Sequence, residues 1–218
     1  MSSLPDLPKK AIRCFFQAIF VLVLSLDGLA AGQTIGTITV VHGTVTIKRP
    51  GVPEAPARRS GEVFVGDVVR TTDNAAAQVA LAEESFVDLA PNSAIRVSQY
   101  SFDQKEDRRT AVIRLLEGTA RFIVYKDRKI SSLRVESTFG LISSYGLADF
   151  VVTATNTETA AAVLNRSLQV KNSSSLVIGD VALGINQKTT VRERSAPTQP
   201  VVLSSDERKA LLKLLSIR

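Results

Sequence analysis

Tryptophan is absent from the 218 residues, and cysteine, histidine and methionine occur once each. A lone cysteine, Cys14, excludes an intramolecular disulfide and any cysteine-rich metal site. A lone histidine, His42, leaves no Cys–His or Ser–His pairing to activate a nucleophile, and it runs straight into Gly43, as a turn residue does. The twelve glycines are isolated rather than grouped, so no phosphate-cradling loop is present. Glu83 and Glu84 are adjacent and would face opposite sides of a strand. They read as charges at a hairpin tip, not as a paired acid and base. The expectation is a protein without enzymatic activity, cofactor or bound metal.

What is present points to export. Lys9, Lys10 and Arg13 precede an apolar run of 13 residues from Cys14 to Leu26, and small residues follow from Gly28 to Gly32. A basic start, a short apolar core and small residues describe a secretory signal peptide over residues 1–32, cleaved between Ala30 and Gly32. The run falls short of the roughly 20 apolar residues that span a bilayer. An uncleaved anchor is the alternative. Nothing later is apolar enough to cross a membrane, so the mature chain is expected to lack a transmembrane segment and any thiol, and to sit in the periplasm or be secreted. Its formal charge is +6, from 27 basic and 21 acidic residues well mixed along the chain. That balance suits anionic neighbours such as acidic polymers, and no nucleic-acid partner is expected.

The remaining chain alternates with a period of two, the mark of strands with one buried face. Between Val65 and Val97, three such runs, Gln78–Leu81, Phe86–Leu89 and Ala94–Val97, are separated by polar turns. Upstream, Thr34–Val41 and Thr44–Arg49 flank His42-Gly43 and read as a β-hairpin. Pro50–Pro56 and Gln99–Thr110 read as loops. Ala111–Leu116, Ala120–Tyr125 and Leu133–Glu136 follow as strands, with Glu117-Gly118 as a turn. Phe150–Thr155, Ala160–Leu164, Ser167–Lys171, Val177–Leu183 and Gln187–Arg192 complete the series. Irregular echoes, Val65-Gly-Asp-Val-Val and Ile178-Gly-Asp-Val-Ala among them, suggest stacked hairpins or arches. The predicted fold is all-β, a β-sandwich or a short irregular β-roll, over residues 33–195. A linker and a short amphipathic helix occupy 196–218, with Ser204 as N-cap, Glu207 closing a capping box and Leu211, Leu214 and Leu215 in a stripe.

Candidate contact residues are few. Arg108, Arg109, Arg128 and Lys129 fall in predicted loops and could meet an anion or a partner. Asn165-Arg-Ser and Asn172-Ser-Ser match the glycosylation acceptor pattern. Asp67, after Gly66, is placed to accept backbone N–H groups as the chain turns, and Thr71 can do the same at the next turn.

Taken in order, Gly66-Asp67-Val68-Val69-Arg70-Thr71, the strand Val79–Leu81, Glu84-Ser85 and Pro91-Asn92-Ser93 resemble the core signature of the FecR domain family. The likeness continues through Leu115-Leu116-Glu117-Gly118-Thr119-Ala120 and reaches Val191. It implies an extracytoplasmic module in which Gly66, Asp67, Thr71, Pro91, Asn92, Ser93 and Gly118 form structural turns. Ser137–Phe150 departs from the family pattern, being one residue longer and lacking its Arg and Thr. Founding members are inner-membrane anti-sigma regulators with a cytoplasmic segment, whereas only about 13 residues precede the apolar run here, so the sigma-binding part is not expected. The resemblance therefore implies a non-enzymatic envelope module that binds another envelope protein through a sheet edge or loops. Binding of an acidic envelope polymer such as peptidoglycan is the alternative.

Overall fold

A computed structural model describes residues 34–216, and the expected signal peptide lies outside the described residues. The first nine strands are β1 Thr34–His42, β2 Val45–Lys48, β3 Ala55–Pro56, β4 Glu62–Phe64, β5 Val68–Thr71, β6 Ala76–Leu81, β7 Ser85–Leu89, β8 Ala94–Asp103 and β9 Arg108–Val124. They are followed by β10 Ile130–Glu136, β11 Gly140–Tyr145, β12 Ala148–Ala154, β13 Glu158–Asn165, β14 Leu168–Asn172, β15 Asp180–Leu183, β16 Gln187–Arg192 and β17 Val201–Val202. The helix α1 spans Ser205–Leu214.

The strands form two layers. One sheet runs β4-β1-β6-β7-β9-β12-β13-β16-β17. The second runs β3-β2-β5-β8-β9-β10-β11-β14-β15. Every pairing is antiparallel except β9–β10, which is parallel. Strand β9 belongs to both sheets. Its first part pairs with β8 and β10 and its last part, from Gly118, with β7 and β12. Alternate residues of both sheets, Val79, Phe122 and Phe150 from one and Val69, Ile113 and Ile142 from the other, meet in a single core. Each such fully buried side chain contributes about 1.5–3 kcal/mol. The all-β architecture with one helix is therefore as expected: a sandwich by its layers, a roll by the path of its chain.

Three local expectations are corrected. Strands β1 and β2 do not form a hairpin. The first pairs with β4 and β6, the second with β3 and β5, so Gly43, at φ +67°, carries the chain from one sheet to the other. An arch and a hairpin share the same alternation and the same glycine, which is why periodicity does not separate them. Glu117-Gly118 likewise does not end a strand but lets one strand change sheets. Gln99–Thr110 is mostly strand, because a bulge between Val97 and Gln99 resets the alternation and turns Tyr100 inward.

The crossing in β9 is held by hydroxyl groups. Ser93 Oγ donates to the Thr119 carbonyl (3.0 Å) and accepts the Thr119 N–H (2.9 Å). Thr71 Oγ1 donates to the Ala90 carbonyl (2.6 Å) and accepts the Ser93 N–H (3.0 Å). Asn92, itself at φ +53°, donates from Nδ2 to Asp73 Oδ1 at 2.6 Å. Gly118 sits at φ +84°, and a methyl group there would overlap the Asn92 carbonyl oxygen and the Ser93 hydroxyl. The short turn Pro91-Asn92-Ser93 thus acts as a staple between the sheets.

At the chain's end, Ser204 and Glu207 exchange the two hydrogen bonds of a capping box, at 3.2 and 2.9 Å. The Lys188 ammonium and the Ser204 N–H hold the Glu207 carboxyl down at about 2. The helix covers Val151, Ala162 and Leu164 on the outer face of the first sheet through Leu211, Leu212 and Leu215. Leu214, expected in that stripe, is 46% exposed. Ahead of the helix, Thr198 is bonded to Thr189 and Thr190, and Val201–Val202 pairs with β16.

Two glycine substitutions test the staple. Gly118→Ala is expected to destabilise the fold by about 3 kcal/mol or more, since strain and overlap combine. Gly51→Ala, at φ +74° with open space around it, is expected to cost only about 1 kcal/mol. Urea unfolding of both variants checks this, and equal losses would mean that the crossing is not a special point.

Candidate functional site

Of the motif residues, Asp67, Thr71 and Ser93 are buried and partnered, Gly66, Pro91 and Gly118 are half-buried, and Asn92 is exposed. Asp67 is fully buried; its carboxylate accepts the Phe64 N–H at 2.9 Å and both Nε and a terminal N–H of Arg49 at 3.0 Å. Arg49 also lies over the Phe64 ring, 3.9 Å from its centroid. Gly66, at φ +93°, turns the chain so that its N–H reaches the Val97 carbonyl. Gly66, Asp67, Thr71, Pro91, Asn92, Ser93 and Gly118 therefore lie at turns and crossings, and the polar side chains of Asp67, Thr71 and Ser93 are spent on holding them.

The basic residues part company. Arg109 was expected in an exposed loop, yet it is fully buried, and this expectation is corrected. Its guanidinium pairs with Glu83 at 3.3 Å and donates to the Ser85 and Ser131 hydroxyls. Glu83, expected at a solvated tip, is 2% exposed and also accepts the Tyr100 hydroxyl. Burial pulls the Arg109 pKa below the ordinary arginine range, and burial together with the Glu83 charge pushes Tyr100 up. The Arg128 side chain is only 6% exposed, bonded to Asp107 at 2.9 Å and stacked over Phe102. The Lys129 N–H and Arg128 lower the Asp107 pKa in turn. Of the four expected anion contacts, only Arg108 and Lys129 are exposed. The cluster ties the β6–β7 turn to β9 and β10.

An apolar surface lies at the far end of the sandwich. Strands β15 and β17 are the last of their sheets and pair on one side only among the described residues. The loop ahead of β15 places Leu176 and Ile178 at 91% and 93% exposure, and Val202 on β17 is 76% exposed. A cavity of about 560 Å³ beside the loop is lined by Phe139, Asn172, Ser173, Leu176, Val177 and Arg194. Asn172 is buried and donates to the Arg192 and Ser195 carbonyls (2.9 and 2.8 Å), so it is no glycosylation acceptor. Sequence periodicity assigned Val177–Leu183 to a strand. The three serines ahead of Leu176 were the available signal that this apolar run stands out in a loop.

This arrangement of turns and crossings is that of a known domain. Residues 67–169 match the FecR protein family. That span is a FecR domain. Two crystal structures of a candidate anti-sigma factor from Parabacteroides distasonis ATCC 8503, at 2.50 and 1.65 Å resolution, share the fold with a TM-score of 0.52 and 19% identity. Each likeness covers 66% of this chain, and it covers 63% and 64% of those chains, so less than two thirds of their length is matched. A comparison with curated proteins gives no match. Within the FecR match lie Asp67, Thr71, Ser93, Gly118 and the Glu83–Arg109 pair.

The FecR domain's buried pair gives a test. Arg109→Ala is expected to cost about 3–5 kcal/mol, because Glu83 is left charged and unpaired. Replacing both, Glu83→Leu with Arg109→Met, should recover most of that loss, while Arg108→Ala stays within about 0.5 kcal/mol. Denaturant unfolding of the three variants checks the pattern.

Proposed function

We propose that this chain is an exported, non-enzymatic protein of the bacterial envelope whose FecR domain serves as a sensory or regulatory module, recognising another protein at the β15 edge. One observation carries the reading. An open edge strand stands directly beside two almost fully exposed aliphatic side chains, Leu176 and Ile178. Backbone N–H and C=O groups of such an edge can add a partner strand, and adjacent apolar side chains supply the affinity. Contiguous exposed apolar side chains favour interaction sites. The likeness in fold to a candidate anti-sigma factor is consistent with a regulatory role. The short apolar run behind Lys9, Lys10 and Arg13 supports export.

Photo-crosslinking from position 182 in intact cells tests the edge. A discrete crosslinked protein is expected, and Leu176→Asp with Ile178→Asp should abolish it while leaving thermal stability unchanged. Crosslinking that persists in this variant would refute docking at β15. Separately, N-terminal sequencing of the native protein is expected to find a start between residues 31 and 33, and an intact Met1 would contradict the cleaved signal.

A further inference from the structure

The two outer faces of the sandwich treat charge differently. On the first sheet, the outward cations of the strands each meet a carboxylate: Arg121 with Asp149 (2.8 Å), Lys188 with Glu207, and Arg192 with Glu158 (2.8 Å). On the second sheet, Lys48, Arg70, Arg96, Arg114, Arg134 and Lys171 point outward, in alternation with the buried Val69, Ile95, Ile113, Val135 and Val170. Among the described residues, only Arg70 and Arg114 have a carboxylate partner there, Glu117 and Glu136. Arg96 and Arg134 have none within 4.0 Å among the described residues.

The register places these charges against one another. Arg96 lies directly opposite Arg114, and Arg134 sits diagonal to Arg114 across β9 and β10. Like charges opposite each other weaken a sheet; Glu136, opposite Arg114, offsets that arginine, which leaves Arg96 and Arg134 as the charges that a negatively charged occupant would relieve. Beside Arg134 lies a polar groove of about 250 Å³, lined by Gln99, Thr110, Ser132, Ser143 and Tyr145. Among the described residues, none of their side chains makes a hydrogen bond, and Tyr145 is 70% exposed. The bulge between Val97 and Gln99 falls at the same place, as bulges often do beside functional sites.

We propose that the outer face of the second sheet binds an acidic polysaccharide. Its carboxylates would meet Arg96 and Arg134, on either side of the Arg114–Glu136 pair. Its hydroxyls would meet the amide and hydroxyl side chains of the groove, with one sugar ring stacked on Tyr145. The chemistry of the groove favours this over two other polyanions. Hydroxyl and amide groups outnumber cations in it, whereas a phosphate polymer calls for dense cations. A membrane surface would call for protruding apolar side chains among the cations, and here those protrude at the β15 edge. This surface is separate from the β15 edge, so either reading can fail without the other.

The test titrates the full chain with polygalacturonate oligomers at low and high salt, with neutral dextran, linear polyphosphate and phosphatidylglycerol vesicles as comparators. Polygalacturonate is expected to bind best. Arg96→Glu with Arg134→Glu should weaken it about tenfold or more, and salt should weaken it in the wild type. Tyr145→Ala should weaken it several-fold at both salt levels, with unfolding temperatures unchanged in all variants. Absence of polygalacturonate binding, or equal binding by the double arginine variant, overturns the proposal. Equal affinity for polyphosphate or vesicles, with Tyr145→Ala without effect, overturns it too, by making the face a general polyanion surface.

Discussion

A single strand passing from one sheet to the other sets the terms for everything around it. At Gly118 the backbone of β9 takes a left-handed conformation and runs so close to the Pro91-Asn92-Ser93 turn that no side chain fits between them. Each buried backbone group near this point must find a partner without a regular ladder to supply it. The hydroxyls of Ser93 and Thr71 do so, each both donating and accepting. Because four strands lie on either side of β9 in both sheets, an error at this point would displace both flanks together.

Charge has two uses in the molecule, and burial separates them. Arg109 and Glu83 lie within the protein and specify how the β6–β7 turn seats on β9 and β10; such a pair is more a constraint on geometry than a net source of stability. Arg96 and Arg134 lie outside, without a carboxylate partner among the described residues. The overall excess of positive charge is modest. Its placement on one face is what makes it informative.

The sequence reveals part of this. Alternation identified most of the longer strands, though not β11 or the short β3 and β17, and the capping box of the helix was legible down to Ser204 and Glu207, because those signals are local. Sheet membership was not legible: an arch at Gly43 and a hairpin at Gly43 bury the same residues. Arg109 was hidden for a different reason. Its partner Glu83 and their neighbour Tyr100 are distant in sequence, and Gln-Lys-Glu-Asp-Arg-Arg reads as a solvated loop until the fold turns its last arginine inward. The motif turns were recognisable because glycine, asparagine and serine have few other reasons to recur in that order. The second sheet's cationic face could not be found from sequence, since its arginines come from four different strands.

The parallel pairing of β9 with β10 bears on how the chain assembles. Only residues 125–129 connect the two strands, which is possible because β9 has by then crossed to the opposite sheet. This makes β9 and β10 one complete coil, with the remaining arches stacked outward from it on both sides. In such a stack each layer buries its inner face only against its neighbours. The outermost layers have a neighbour on one side only and are the ones that open most readily. Leu176 and Ile178 lie on such a layer. A partner gripping them would close the last turn of a coil, and its arrival would be felt as stiffening along the stack.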